Sequence, residues 1–181
     1  MSSVVISGDT SGAITVSAPA VSGTTTITMP AVTGTMSVLP TTPSMVRLNT
    51  ANGYGSTNTV IRRFTNAITN QGSDITYADS ATLGATFTIN TTGIYSVSYT
   101  ECFSAANTFG ISLNSSQLTT VIYSITQSAI LMAGQAGSTP AGVSWTGLLT
   151  ATDVIRAHTT GAAAGTNGGA QSTFFTIVRV A

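Results

Sequence analysis

The sequence predicts an almost purely β protein, a sandwich or barrel of short strands behind an extended N-terminal arm. Threonine and serine supply 35 and 22 of the 181 residues, and threonine is β-branched and favours strands. Glu, Lys and Gln, which populate helix surfaces, are scarce. After about residue 45, short apolar runs separated by Gly, Asn and Ser recur at the spacing typical of an all-β sandwich or barrel.

The N-terminal segment is built on an 11-residue repeat. Copies begin at Ser11, Ser22 and Thr33 with a small residue and glycine, and the first two end in Pro-Ala-Val. Regular proline forbids long ladders and helices because it donates no amide hydrogen and fixes its φ. We therefore predict an extended arm over residues 1–45 and a head domain over residues 46–181. About 45 extended residues reach on the order of 150 Å, far enough to cross onto another subunit.

The arm carries recurring apolar residues that a flexible linker would lack. The alternative is a partly disordered tail, which would be more polar. Apolar side chains on an extended segment need a neighbouring surface, so we predict that the arm anchors the protein to a partner. The candidate anchoring residues are Ile14, Val16, Pro19, Val21, Gly23, Ile27, Pro30, Val32 and Gly34.

The head contains ten candidate strands. Alternation is clearest in 93–103, where Tyr95, Val97 and Tyr99 share one face. The last strand is apolar on both faces, which predicts a central strand or one that faces a subunit contact. The predicted strands are 59–65, 75–77, 85–89, 93–103, 108–113, 118–126, 128–133, 143–149, 153–158 and 173–180.

The charged residues are few and balanced: 6% of the chain, with five arginines against five acids. Scattered arginines make no basic stripe, so nucleic-acid binding is not expected. The sequence contains no run of about 18 apolar residues, so membrane insertion is not predicted. The amino terminus lacks the features of a secretory signal, which predicts assembly in the host cytoplasm or release by lysis. Because zero net charge favours association, we expect the chain to live inside an assembly.

Residues for catalysis or metal binding do not converge in the sequence. A triad or metal site needs several groups, whereas His158 is the single histidine and fits a loop or interface position better. Cys102 is the single cysteine and is expected as a small buried hydrophobe. Asp74 and Asp79 leave calcium as an alternative that would need carboxylates from three subunits. We predict no catalytic residue, no metal and no cofactor.

Two further features have simple structural explanations. Arg62 and Arg63 adjoin in a predicted strand and should face opposite sides. One is expected to meet Asp79 or Glu101 in a surface pair contributing about 0 to 1 kcal/mol. The glycine-rich segment 161–169 lacks the Lys-Ser/Thr of a phosphate loop and is expected to join the last two strands.

Three stretches of the head follow a known pattern: 86–99 (TFTINTTGIYSVSY), 145–157 (WTGLLTATDVIRA) and 172–180 (STFFTIVRV). In this order they resemble the trimeric jelly rolls of the complement one-q and tumour necrosis factor superfamily. Phe87, Gly93 and Tyr95 fall on landmark positions of that family. The resemblance implies an antiparallel jelly-roll sandwich that forms a homotrimer. The residues implied in core or trimer packing are Phe87, Gly93, Tyr95, Tyr99, Trp145, Phe174 and Phe175.

The arm sequence PAVSGTTTITMP resembles segments common at the amino ends of tailed-phage virion proteins. Arm and head together resemble a phage fibre or capsid decoration protein. Because no extensive shaft separates them, a decoration (cement) trimer or short spike on the virion fits best. Its partners would be other virion proteins, either the major capsid protein or a tail or fibre base.

A second hypothesis is a receptor-binding fibre tip, which would recognise a host surface glycan or protein through loops 105–108, 134–142 and 161–169. A third, a free regulator of the complement or cytokine type, would need a secretion signal that the sequence does not show. The first two hypotheses stay open, because a displayed head and a binding head are made of the same residues.

Overall fold

The computed structural model describes residues 3–7, 13–17, 43–103, 105–160 and 172–181. The chain forms two compact units, 1–38 and 39–181. In the first unit, β1 (Ser3–Ser7) and β2 (Ala13–Ser17) pair as antiparallel strands. The predicted extended arm did not include this pairing. The anchoring residues beyond β2 lie outside the described residues.

The second unit is a sandwich of two five-stranded antiparallel sheets. The first sheet has the order β10-β7-β12-β3-β4 and the second the order β5-β6-β11-β8-β9. This is an antiparallel jelly-roll sandwich, and the predicted fold class is confirmed. The strands are β3 (Met45–Tyr54), β4 (Arg62–Gln71), β5 (Ile75–Ala78), β6 (Thr86–Ile89), β7 (Gly93–Cys102), β8 (Asn107–Leu113), β9 (Ile130–Ala136), β10 (Pro140–Leu149), β11 (Val154–Thr159) and β12 (Phe174–Arg179).

The core lies between the sheets and consists of the inward residues of alternating strands. In β7, Tyr95, Val97 and Tyr99 are fully buried, whereas Ile94 on the other face is exposed. Strand β12 pairs with β7 on one side and β3 on the other, so the prediction of a central last strand is confirmed.

Three strand predictions need correction. Strand β3 was not predicted, although Val46 and Leu48 alternate with polar neighbours and are fully buried. The predicted strand 59–65 covers only the start of β4. The predicted strand 118–126 is wrong, because that segment crosses the sheet and contains a 3₁₀ turn at Ile122–Ser124.

Residues 114–129 form what we call the strap, which connects β8 to β9 and covers the outer surface of the second sheet around β8 and the end of β11. Two residues of the strap itself, Ile122 and Ile125, have buried side chains. A Cβ atom at Gly110 on β8 would lie 2.8 Å from Cγ1 of Ile122, so the strap needs a glycine at this position. Within the described residues, no helix is long and apolar enough to span a membrane.

Candidate functional site

One end of the head gathers five connections, because β3, β5, β7, β9 and β11 all finish there. We call it the loop end. The predicted recognition loops 105–108 and 134–142 both lie here. Loop 161–169 lies outside the described residues, but the preceding Thr160 is placed at this end by a backbone hydrogen bond of 3.2 Å from its N–H to the carbonyl of Thr108.

A buried ion pair lies beneath the loop end. Arg62 donates from Nε to Glu101 Oε2 at 2.8 Å and from Nη2 to Oε1 at 3.2 Å. Glu101 is fully buried. The expected surface pair is therefore wrong for Arg62, because this residue is on the inward face of β4. Arg63 points outward and binds Asp79 at 2.8 Å near the surface, so the two arginines do face opposite sides.

Further hydrogen bonds complete the surroundings of Glu101. Tyr99 donates its hydroxyl to Oε2 at 2.8 Å, and Thr173 donates to Oε1 at 2.6 Å. Burial raises the pKa of Tyr99 well above its usual range, and the charge on Glu101 raises it further. The network ties β4 and β7 to Thr173, the residue that precedes β12, and so fixes the framework under the loops.

The opposite end of the head, which we call the base end, receives the chain from the arm. Ser44, just before β3, donates its hydroxyl to Asp74 at 2.8 Å, and Arg179 approaches the same carboxylate oxygen at 3.3 Å. A hydrogen bond from Thr91, together with Ser44 and Arg179, lowers the pKa of Asp74 in spite of partial burial. Ala181 also lies here, since its carbonyl accepts from the N–H of Ile94 at 2.8 Å.

The two carboxylates considered for calcium are engaged by arginines. Asp74 faces Arg179 at the base end, and Asp79 accepts two hydrogen bonds from Arg63. In the part of the chain that the structure describes, no three His, Cys, Asp or Glu side chains gather as metal ligands.

In the described residues, the outward positions of β7, β10 and β12, which we call the open face, have no charged side chain of their own, and the guanidinium of Arg47 from neighbouring β3 lies over Phe174 at their edge. The middle of the open face is lined by hydroxyls, and Thr146 donates to Ser96 at 3.3 Å across the sheet. Near the base end, Leu148, Ile94 and Val180 are 61%, 37% and 50% exposed. The second sheet has the strap over its outer surface, whereas the open face presents neutral and apolar groups.

A cleft of about 380 Å³ opens where the open face meets the loop end. The guanidinium of Arg47 lies 5.3 Å from the ring centroid of Phe174 at its margin. The cleft is lined by Thr100, Pro140, Ala141, Gly142, Ser172 and Phe174.

The residues implied in core or trimer packing fall into three places. Phe87 and Phe175 stack in the core with ring centroids 4.2 Å apart, and Tyr95 and Tyr99 are fully buried with them. Trp145 packs against the core from β10 and is partly buried. The remaining two are outside the core: Phe174 on the open face and Gly93 at the base end.

His158 occupies a different environment from the loop or interface position that the sequence favours. It lies on β11 and is fully buried, because the strap covers the outer surface of its sheet. Burial lowers its pKa to about 4, against a weaker opposing effect of the Thr120 backbone. Cys102 is buried, as expected. Of the arm residues, Ile14 and Val16 lie in β2, in register with Ile6 and Val4.

Sequence reasoning missed the exposed apolar residues of the open face. Leu148 and Ile94 are directly paired between β10 and β7. Each of these two residues is followed in the sequence by a buried one, so strand alternation alone predicts that both face outward. That they meet depends on strand register, which sequence does not show.

No protein-family model and no curated protein matches the chain. Solved structures match the head. Murine APRIL at pH 8.5 aligns with 77% of this chain and 100% of its own at 14% identity and a TM-score of 0.54. Murine APRIL at pH 8.0 covers the same shares at 15% identity and a TM-score of 0.52. The likeness shows the fold: the head is a jelly roll of the tumour necrosis factor type.

Proposed function

We propose that this chain is a non-enzymatic structural protein of a tailed-phage virion, a homotrimeric capsid decoration protein or short spike. In this proposal the arm anchors it to another virion protein and the head is displayed on the particle surface. The observation that carries the proposal is that the head has two distinct, opposite ends. The chain enters at Ser44 in the base end, while the connections around Glu101 lie at the opposite, loop end.

The open face supports self-association. A contiguous neutral surface with exposed Leu148, Ile94 and Val180 is costly for a monomer to leave in water. Identical subunits cover such a surface without any need for matched charges. The resemblance of the sequence to trimeric jelly rolls favours three copies.

Removal of the arm tests the anchoring role. A variant that lacks residues 1–42 keeps Ser44 on Asp74, and keeps the carbonyl of Pro43 that accepts from Gln71. This armless head should fold and form trimers but should not co-sediment with particles that lack the protein. Deletion of loop 161–169 is the matched control and should leave attachment intact. An armless head that attaches as well as the full chain would show that docking occurs through the jelly roll.

The second candidate function is a receptor-binding tip for a host surface glycan or protein. The observation that favours it is the clustering of loops 105–108 and 134–142 at the end farthest from the entry at Ser44. Binding of the armless head to host cells, abolished by changes in these loops, would favour this function over cementing.

A further inference from the structure

A buried histidine, His158, and a half-buried arginine, Arg156, lie side by side on the outer side of the second sheet. They alternate on β11 with Ile155 and Ala157, which face the core. Register places His158 opposite Gly110 and Arg156 opposite Ser112 on β8. His158 and Ser112 are fully buried even though they face away from the core. Among the described residues, the strap accounts for this burial, because Ile122 packs directly over Gly110.

The polar atoms of this cluster are poorly satisfied. Within the described residues, the hydroxyl of Ser112 and Nε of Arg156 have no hydrogen-bond partner. The ring nitrogens of His158 lie near the backbone of Thr120 but make no well-formed hydrogen bond with it. No carboxylate is paired with Arg156, whereas Arg62, Arg63 and Arg179 each have one. A positive charge on His158 would be buried next to the half-buried guanidinium of Arg156, and no carboxylate of the described residues lies there to balance it.

None of the described groups that face His158 is a carboxylate that could form an ion pair with a protonated imidazole. Arg156 is the charged neighbour on its own strand. Strand β8 contributes Gly110 and Ser112, the strap contributes Thr120 and Ile122, and the bridge partner before β4 is Ile61. Segment 161–171 contains no ionisable side chain. Asp153 lies at the root of the strap, where it accepts from Asn114 at 2.7 Å.

The strap is held mainly by its own bonds. Gln117 accepts from the N–H and hydroxyl of Thr126 at 2.7 and 2.9 Å. The N–H groups of Ser124 and Ala129 donate to carbonyls within the strap at 2.9 Å. Its hold on the sheet comes from the buried side chains of Ile122 and Ile125 and, at its root, from two hydrogen bonds between Asn114 and Val154 of β11, at 2.8 and 2.7 Å. The strap can therefore lift without breaking a ladder of the sheet.

We propose that the strap is an acid-sensitive cover, which leaves the second sheet when His158 takes up a proton. When the strap lifts, water reaches the imidazolium of His158, which is then no longer enclosed by apolar groups beside Arg156. The same movement exposes Ile122, Ile125 and the sheet surface around Gly110. This device is independent of the virion role proposed above.

The direction with pH follows from the lowered pKa of His158. With the strap closed the pKa is about 4, and with the strap open it returns towards 6.5. The closed state is fully favoured above pH 6.5 and loses stability as the pH falls towards 4. Opening should increase by about 30-fold between pH 8 and pH 5.

Hydrogen exchange and NMR on the full chain test this directly. Exchange of strap peptides at about pH 8 and pH 5, corrected for the chemical rate, should show a protection loss of about 30-fold. Peptides from β7 should keep their protection. Because His158 is the single histidine, its ring signals report its titration without assignment by mutation.

Two variants separate the proposal from general acid effects. His158→Gln cannot titrate and should make strap protection independent of pH. Arg156→Gln keeps the histidine and should reduce the protection loss, and it serves if His158→Gln does not fold. Three results would overturn the proposal: ordinary titration of His158 near 6.5 without strap opening, an unchanged acid response in His158→Gln, or simultaneous loss of protection in β7.

Discussion

Glu101 shows how one buried charge depends on its partner. It has no solvent access, and its carboxylate accepts from Arg62, Tyr99 and Thr173. Glu101→Gln leaves the guanidinium buried without a counter-ion, which costs about 3–5 kcal/mol when such a pair is broken. Urea denaturation should show a loss of unfolding free energy of this size.

A double variant provides the control for this prediction. Arg62→Met combined with Glu101→Leu removes both charges and should recover part of the lost stability, since an apolar pair replaces the buried ionic one while the hydroxyls of Tyr99 and Thr173 lose their acceptor. If Glu101→Gln alone leaves the urea midpoint unchanged, the pair is not buried in solution.

Phe87 tests the core. It is fully buried and stacks on Phe175. Phe87→Ala should lower the unfolding free energy by about 3–5 kcal/mol through lost burial and the cavity left behind. Leu83→Ala is the control, because Leu83 is 53% exposed and should change little. Calorimetric midpoints that agree for both variants would contradict the placement of β6 in the core.

At the scale of elements, sequence reasoning succeeded where one face of a strand is buried. Strand β7 alternates between buried and exposed residues, so its position and faces were predictable. Strand prediction from the sequence failed where buried and exposed residues do not alternate. Residues 65–68 of β4 are exposed on both faces, so polarity there gave no strand signal. The strap is rich in β-prone residues, yet it crosses a sheet, and local propensity cannot reveal that.

Gly110 links the strap to β8 and gives a test at this scale. A methyl group there would press on the carbonyl of Met132 and lie 2.8 Å from Cγ1 of Ile122. Gly110→Ala should therefore destabilise the head by about 1–3 kcal/mol through overpacking. Gly137→Ala is the matched control, because nothing lies within 4 Å of the added methyl group. Equal unfolding midpoints for the two variants would show that the strap does not pack on Gly110.

At the scale of the whole molecule, the candidate site was only partly predictable. The resemblance indicated the jelly roll, which the structure has, whereas the assembly expected from scarce charge stays a prediction. The pairing of Arg62 with Glu101, 39 residues apart, depends on the arrangement of the strands within the first sheet. The open face depends on how β7, β10 and β12 align. Neither relation is written in local sequence, because both arise from register between distant strands.

The open face makes a prediction about assembly. Leu148→Arg places a charge in the proposed interface and should convert the trimer to monomers, as measured by light scattering. Leu83→Arg is the control, since Leu83 is similarly exposed but lies away from the open face. High salt should not dissociate the proposed trimer, because the open face would contribute apolar and hydroxyl-lined contacts. A stable native monomer at micromolar concentration would contradict trimerisation.

The most direct test of the account is a cryo-electron microscopy map of the particle that carries this protein. The account predicts threefold density at the particle surface, with the base end around Ser44 towards the shell and the loop end facing outward. Density in which the loop end contacts the shell, or particles that contain no copies of the chain, would contradict it.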